Sequence, residues 1–304
     1  SNYSPCFVSP NLLSITLWYF ITRIIDIPIK IQWYGYVKKT LGAKDANTYA
    51  ESIDIAQRTT LSLFARYIFT KQIYGIAITT LTSLLSRRSL YCSKTANGKY
   101  SIVDCFNNDV GNIKFDRMNH TFINHRCKFC GVGDNVSIYT RDDSLENHAY
   151  QFIHTENPEE IFNMKFDVII GNPPYQLNVG VQQESYAIAL YHKFVQQAKK
   201  LNPRYLTMII PSRWFAGGRG LDEFRDEMLH DNRLRVIHDF INASDCFTGV
   251  EIKGGVCYFL WDIDNRSLCD IYTHKDTIIS HSQRPLLEKN NDTFIRYNEA
   301  IEII

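Results

Sequence analysis

The sequence predicts an α/β fold with a doubly wound, mostly parallel sheet. Short apolar runs, the candidate strands, lie at 73–78, 166–170, 206–210, 234–240 and 255–261. These runs are mainly apolar and lack a strict alternation of apolar and polar residues, which is typical of strands that are covered on both faces. Helical spacing of apolar residues is found between them, at 81–90, 185–201 and 221–230. Because ligands of such sheets bind at the carboxyl ends of the strands, we expect the functional residues to follow 170 and 210.

The 304 residues divide by pattern into four regions. These are a helical N-terminal segment at 1–72, a core at 73–106 and 161–284, an insertion at 107–160, and the start of a further segment at 285–304. The insertion interrupts the alternation of strands and helices because it is polar and rich in histidine and cysteine.

Residues 7–29 are strongly apolar, but two prolines and two charged residues interrupt them. The uninterrupted stretch is shorter than the ~20 residues that a membrane span needs, so we predict a buried helix and no membrane partner. No cleavable signal peptide is recognisable. Eight cysteines, spaced unlike a disulfide framework, indicate a reducing, cytoplasmic location.

The formal net charge of +1 gives no global positive field that would attract nucleic acid. DNA binding would therefore use local patches of basic residues. The candidates are Arg87, Arg88, Lys199, Lys200, Arg204, Arg213, Arg219, Arg225, Arg233 and Arg235. Each of them is also explained by a solvated helix face.

The tetrapeptide Asn172-Pro173-Pro174-Tyr175 follows the apolar run at 166–170 and Gly171. Two consecutive prolines fix φ and remove two backbone donors, so the carbonyl groups here are rigidly aimed. A neutral amide beside such carbonyls can accept both N–H bonds of an exocyclic amino group, which frees its nitrogen lone pair for attack on a sulfonium methyl. Tyr175 would stack on the base after it has been flipped out of a duplex. A rigid turn after a strand is the plain structural alternative.

Residues 166–175 resemble the catalytic motif of amino-group methyltransferases that use S-adenosylmethionine. More narrowly, the chain is similar to the N6-adenine DNA methyltransferases of restriction-modification systems, from about 73 to about 264. Residues 73–79, 205–214 and 254–261 match the flanking strands of that group. The resemblance implies a Rossmann-like methyltransferase fold and double-stranded DNA as the substrate. It also implies a restriction subunit, or a fused nuclease or helicase region, as a partner.

The same resemblance implies S-adenosylmethionine as the cofactor. It would be bound near Asp104, which is placed at its adenine ring, and near Thr79 and Gly75. Where the family usually has an acidic residue for the ribose hydroxyls, Ala77 occupies the position, and Thr79 is the nearest polar residue.

A glycine-rich turn is also expected upstream of residue 73, but residues 1–72 contain only Gly35 and Gly42. We therefore expect this chain alone to bind S-adenosylmethionine weakly and to show no sequence-specific methylation.

Cys127 and Cys130, followed by Gly131, form the tight Cys-x-x-Cys-Gly turn of a zinc knuckle. We expect Cys92 and His120 to complete a zinc site. Two spare thiols on a loop are the alternative, because the second ligand pair lacks the usual spacing.

Four further residues of the same region bear on the zinc prediction. His125 and Cys105 are alternative ligands, whereas we expect His148 and His154 to be hydrogen-bonded structural histidines.

Three functions are compatible with these motifs. The first is an adenine-specific DNA methyltransferase whose chain is a fragment without the cofactor glycine motif and a target-recognition domain. The second is a glutamine-N5 protein methyltransferase, which shares the tetrapeptide but tends to lack an insertion such as 107–160. The third is a non-catalytic DNA-binding remnant.

Overall fold

A computed structural model describes residues 66–103, 105–134, 149–177 and 188–303 of the chain. The apolar segment 7–29, Asp104 and His148 lie outside these ranges. The chain divides into two compact units, Ser1–Asp116 and Arg117–Ile304. The boundary falls within the segment 107–160, and residues 285–303 belong to the second unit.

The first unit contains a two-stranded parallel pair and one complete helix among its described residues. Strand β1 (Gly75–Ile76) pairs with β2 (Ile113–Lys114), and α1 spans Thr80–Tyr91. Helix α1 begins at a capping box because the Thr79 hydroxyl accepts from the Thr82 backbone N–H at 2.9 Å and Thr82 reciprocates at 3.0 Å. The helix ends at Tyr91, whose side chain is fully buried.

The second unit is built on a six-stranded sheet in the order β12-β11-β9-β10-β8-β5. Its strands are β5 (Val168–Gly171), β8 (Tyr205–Pro211), β9 (Leu234–Phe240), β10 (Val256–Asp262), β11 (Cys269–Lys275) and β12 (Ile278–Arg284). Two short antiparallel pairs stand apart from it, β3 (Phe122–Ile123) with β4 (Arg126–Cys127) and β6 (Gln176–Leu177) with β7 (Ile188–Ala189). The helices of this unit are α2 (Tyr191–Lys200) and α3 (Asp222–Leu229).

The expectation of a mostly parallel sheet is wrong for these six strands. Strands β5 and β8 are parallel, as are β9 and β11, but β10 runs antiparallel to both β8 and β9. Strands β11 and β12 form a further antiparallel pair. The residues between β9 and β10 form only a short 3-10 turn, Ala243–Asp245. A parallel crossover usually needs a helix, so the chain returns in the opposite direction.

The core of this unit lies where α2, α3 and the turn Ser212–Phe215 pack together. Trp214 is fully buried, and its ring centroid lies 5.8 Å from that of Phe224 in α3. Tyr191 at the start of α2 contacts the same phenylalanine at 6.2 Å. On a neighbouring side, Phe294 of the C-terminal segment stacks on Phe215 at 4.3 Å. The helices of the described part of the chain are all too short or too polar to cross a membrane.

Candidate functional site

The predicted tetrapeptide lies at the carboxyl edge of the sheet. Strand β5 ends at Gly171, next to Met208 of β8, and Asn172 follows directly. Strands β8 and β9 end at this same edge, because both pair in register with the first residue of β10, Val256. This is the edge that the sequence predicted as functional, since ligands of open α/β sheets bind there.

The two prolines stop the strand and fix the direction of the chain. They have no N–H to continue the ladder, and Pro173 is buried while Asn172 is exposed. After the two prolines, backbone hydrogen bonds fix the chain a second time. The Leu190 N–H donates to the Tyr175 carbonyl at 3.1 Å, and β6 pairs with β7. The tetrapeptide is therefore held at both ends while the Asn172 side chain faces solvent.

Tyr175 is half-buried, and its hydroxyl oxygen points inward. This oxygen is buried without a hydrogen-bond partner among the described residues. Burial raises the pKa of Tyr175, and nearby Cys246 and Cys257 raise it further. The phenol is therefore neutral at physiological pH, and its hydroxyl is remote from solvent. Its ring is the part of the side chain that can contact a ligand.

A buried ionic network supports the neighbouring strand ends. Asp239 of β9 is fully buried and accepts a hydrogen bond from the Ser212 hydroxyl at 2.7 Å. Arg296 donates to both carboxylate oxygens of Asp239, through Nε and Nη2, each at 2.7 Å. The C-terminal segment thereby holds the ends of β8 and β9 in place, a contact for which the sequence analysis offered no signal.

Gly255 brings the start of β10 against the end of β9. Its φ is +83°, and an added Cβ would lie 2.1 Å from the Phe240 carbonyl oxygen and 2.7 Å from that of Ile241. Its own carbonyl accepts from the Ser212 N–H at 3.1 Å. Only glycine fits this close backbone approach.

Two of the three residues predicted to bind S-adenosylmethionine, Gly75 and Thr79, lie in the described part of the first unit. A Cβ on Gly75 would lie 2.8 Å from Cδ1 of Ile113, the flexible end of a side chain on β2. The Thr79 hydroxyl is occupied in the capping box of α1. Asp104 lies outside the described residues.

Several of the basic residues predicted to bind DNA form ion pairs within the second unit. Lys199 contacts Glu227 and lies 2.8 Å from Asp231, which also binds Arg233 at 2.7 Å. Burial alone would raise the pKa of Asp231, but hydrogen bonds from Arg233, Lys199 and Trp261 lower it well below its usual range.

The remaining basic candidates differ in exposure. Arg87 is buried, Arg204 pairs with Asp264 at 3.2 Å, and Arg225 donates to a backbone carbonyl. Arg213 and Arg219, which follow β8 at the functional edge, are exposed.

Three of the four predicted zinc ligands, His120, Cys127 and Cys130, lie together with His154. Metal-binding atoms of His120, Cys127, Cys130 and His154 all lie within 4.8 Å of one another. Cys92 is not a member of this group; it follows α1 in the first unit, with φ of 56°. His154, expected to be a structural histidine, occupies the fourth position.

The alternative zinc ligands do not join this cluster. His125 is 90% exposed and pairs with Asp134 at 2.8 Å, whereas Cys105 is exposed in the first unit. The sequence could not single out His154, because it lies 24 positions after Cys130 and no ligand-spacing rule covers that distance.

A cleft of about 590 Å³ lies beside this cluster, between the cysteine-containing segment and α2. Its lining is mixed in charge, with Lys128, Lys193 and Lys200 facing Glu156 and Glu227. The tetrapeptide does not contribute to it, so the cleft is not the acceptor site.

Residues 71–247 match the family described as Eco57I restriction-modification methylase. An uncharacterized adenine-specific methylase of Mycoplasma pneumoniae is 37% identical over 266 residues, which are 78% of this chain and 63% of that protein. The chain thus spans less than two thirds of the length of that relative.

Solved structures share a weaker likeness. A complex of DrdV with DNA is 14% identical over 77% of this chain and 27% of its own, with a TM-score of 0.37. The methyltransferase subunit of a type I restriction-modification system from Streptococcus thermophilus is 12% identical over 46% of this chain and 30% of its own, with a TM-score of 0.26. TM-scores this low carry no argument about this chain.

Proposed function

The chain belongs to the Eco57I restriction-modification methylase family, and from that premise we propose that it carries the catalytic core for methylation of the N6 amino group of adenine in DNA. The observation that supports this most is the exposed Asn172 at the carboxyl edge of β5, followed by a buried proline. We also propose that the sheet of the second unit is the acceptor half of a Rossmann-like methyltransferase fold, since its acceptor motif follows a strand at the ligand edge.

The acceptor role falls to the Asn172 side chain and the Pro173 carbonyl. The Tyr175 carbonyl already accepts from the Leu190 N–H, so we assign the second acceptor to Pro173. Two acceptors that bind the two amino hydrogens orient the nitrogen lone pair, and such positioning provides much of the rate enhancement when no strong base is needed. When bound, S-adenosylmethionine supplies an electrophilic methyl group.

Adenine reaches such a site only after it leaves the double helix. The ring of Tyr175, whose hydroxyl oxygen is buried, offers a face for stacking on the extruded base, and such stacking is worth about 1–3 kcal/mol per base. The exposed Arg213 and Arg219 at the same edge are suitable for binding DNA phosphates. We further propose that the full protein acts with a restriction subunit or a fused nuclease or helicase region.

The test is a methylation assay with the protein expressed from its complete reading frame. Plasmid DNA without adenine methylation is incubated with labelled S-adenosylmethionine, and the DNA is digested to nucleosides for identification. We expect label in N6-methyladenine, and a loss of roughly 10²–10³-fold in rate for Asn172→Ala, the scale for removing one positioned polar group. Because Asn172 is exposed, this variant should change the stability by no more than about 0.5 kcal/mol.

Tyr175 provides a matched pair of variants. Tyr175→Phe removes a hydroxyl that has no hydrogen-bond partner among the described residues, so its activity should stay near that of the parent. Tyr175→Ala removes the stacking face and should bind DNA about 5–150-fold more weakly.

Several outcomes would contradict the proposed function. Near-parental transfer by Asn172→Ala would remove the acceptor assignment. Label recovered in glutamine of a protein would favour the glutamine methyltransferase instead. Retained DNA binding without any transfer would favour the non-catalytic remnant.

A further inference from the structure

The segments 117–134 and 149–161 of the second unit meet at a cluster of two thiols and two imidazoles. Cys127, Cys130 and His154 have exposed fractions of 3%, 1% and 5%. Neither cysteine forms a disulfide. Three buried side chains and the half-buried His120 thus direct metal-binding atoms toward one another.

The hairpin β3–β4 presents the two cysteines in a tight turn. Asn124 and His125 both have positive φ, 50° and 63°, as a two-residue type I′ turn requires. After β4, the Gly131 N–H donates to the Cys127 carbonyl at 2.9 Å, and Gly131 itself has φ of 77°. This closed turn directs Cys127 and Cys130 to one point, and His120, which precedes β3, reaches the same point.

His154 lies in the segment 149–161, and the hydrogen bond of one ring nitrogen leaves the other nitrogen available to a metal ion. Its Nδ1 lies 2.9 Å from the Tyr150 carbonyl oxygen, so this nitrogen carries the proton that it donates. Its Nε2 is buried and has no hydrogen-bond partner among the described residues. A carbonyl bonded to one ring nitrogen, with the other nitrogen left for the metal, is the usual arrangement of a metal-binding histidine.

The distances fit one tetrahedral ion. Zinc bonds of about 2.3 Å to sulfur and about 2.05 Å to nitrogen place a thiolate and an imidazole nitrogen about 3.6 Å apart. Sγ of Cys130 and Nδ1 of His120 are 3.3 Å apart, and all four ligand atoms lie within 4.8 Å of one another. We propose that His120, Cys127, Cys130 and His154 bind one structural Zn²⁺ ion that fastens the hairpin β3–β4 to the segment 149–161.

This site is independent of the methyl-transfer proposal, because metal content is measured without any activity. Its ligand set has no open position for water, which is the pattern of structural rather than catalytic zinc. Two cysteines and two histidines also bind [2Fe–2S] clusters, but there they are split between two irons. The mutual distances here fit a single ion.

Elemental analysis of the full chain, purified under reducing conditions without added metal, is the direct test. We expect about one zinc ion per chain in the parent protein and loss of nearly all of it in Cys130→Ser and His154→Gln. The matched controls are His125→Gln, an exposed histidine in the same hairpin, and Cys105→Ser, an exposed cysteine outside the cluster. Both controls should retain the parental zinc content.

A cobalt titration keeps the test informative if a variant folds poorly. The metal-depleted parent chain should bind one Co²⁺ with the intense visible bands of a tetrahedral thiolate site, and zinc should displace it. Hydrogen exchange should then report loss of protection in 120–134 on metal removal, with β8, β9 and β10 unchanged.

The proposal is overturned if the purified parent holds no stoichiometric zinc and the depleted chain binds neither Zn²⁺ nor Co²⁺. Stoichiometric iron in place of zinc would also overturn it. Full zinc content in a folded His154→Gln variant would refute the fourth ligand.

Discussion

The ion pair between Asp239 and Arg296 allows the sharpest test of what stabilises the functional edge. Asp239 is fully buried, whereas the side chain of Arg296 is 24% exposed. Removing the arginine with Arg296→Met would leave a buried carboxylate with one described neutral donor, the Ser212 hydroxyl. Breaking a buried pair in this way costs about 3–5 kcal/mol, because the remaining charge is uncompensated.

Neutralising the aspartate instead of removing the arginine should lower the free energy of unfolding by a smaller amount. Asp239→Asn keeps the shape and one acceptor, and Arg296 can turn its guanidinium toward water because it is already partly exposed. We expect a loss of about 1.5–3 kcal/mol, on the scale of hydrogen bonds to charged groups. The double variant should cost less than the sum of the two single variants, because no buried charge remains unpaired.

Urea unfolding, followed by tryptophan fluorescence, measures these free energies, since Trp214 and Trp261 are buried in this unit. The control is Asp264→Asn, which breaks the ion pair between Asp264 and Arg204. Because these side chains are 67% and 58% exposed, the variant should lower the free energy of unfolding by less than about 1 kcal/mol. A cost below about 1 kcal/mol for Arg296→Met, or a larger one for Asp239→Asn, would refute the reasoning.

Two further predictions concern β9 and β10. Burial lowers the pKa of His238 to about 4, helped by His274 at 2.9 Å. The folded state therefore resists protonation, so its stability is full above about pH 6.5 and falls by up to about 1.4 kcal/mol per pH unit toward pH 4. Urea midpoints at pH 7 and pH 5 should differ less in His238→Gln than in the parent, and an equal difference would contradict this. Gly255→Ala should cost about 2–4 kcal/mol in urea unfolding, because of positive φ and the Phe240 carbonyl. Gly254→Ala, which has positive φ but open space, should cost only about 1–2 kcal/mol, and equal costs would contradict the clash.

The elements that could be predicted from the sequence are those whose pattern is local. The apolar run at 234–240 is β9 (Leu234–Phe240), and the run at 206–210 is β8 (Tyr205–Pro211). The helix expected at 221–230 is α3. In each case burial of one stripe or of both faces gives the residues a periodicity that a single sequence reveals.

The strands β11 and β12 were missed because their pattern is different. In β11, only Cys269, Ile271 and Thr273 are buried, and polar residues alternate with them. Strand β12 lies at the sheet edge and buries only Arg284. The alternation of buried and exposed residues in β11 is typical of an antiparallel strand with one covered face, and not of the apolar runs that predict a parallel sheet.

The antiparallel orientation of β10 agrees with the sequence that precedes it. Residues 241–255 show no helical period, and a parallel strand would have needed a crossover connection there. Glycines at 254 and 255 fit a sharp return of the chain. The membership of His154 in the His/Cys cluster had no such signal, because His154 lies 24 positions after Cys130 and the two segments meet only in the folded chain.

Helix α2 connects the two sites of the second unit. At its start, the Leu190 N–H binds the Tyr175 carbonyl at 3.1 Å and fixes the end of the tetrapeptide. Further along, the Gln197 amide donates to the carbonyls of Phe152 and Thr155, at 2.9 and 2.7 Å, on either side of His154. One helix therefore contacts both the tetrapeptide and the segment 149–161, which contains His154.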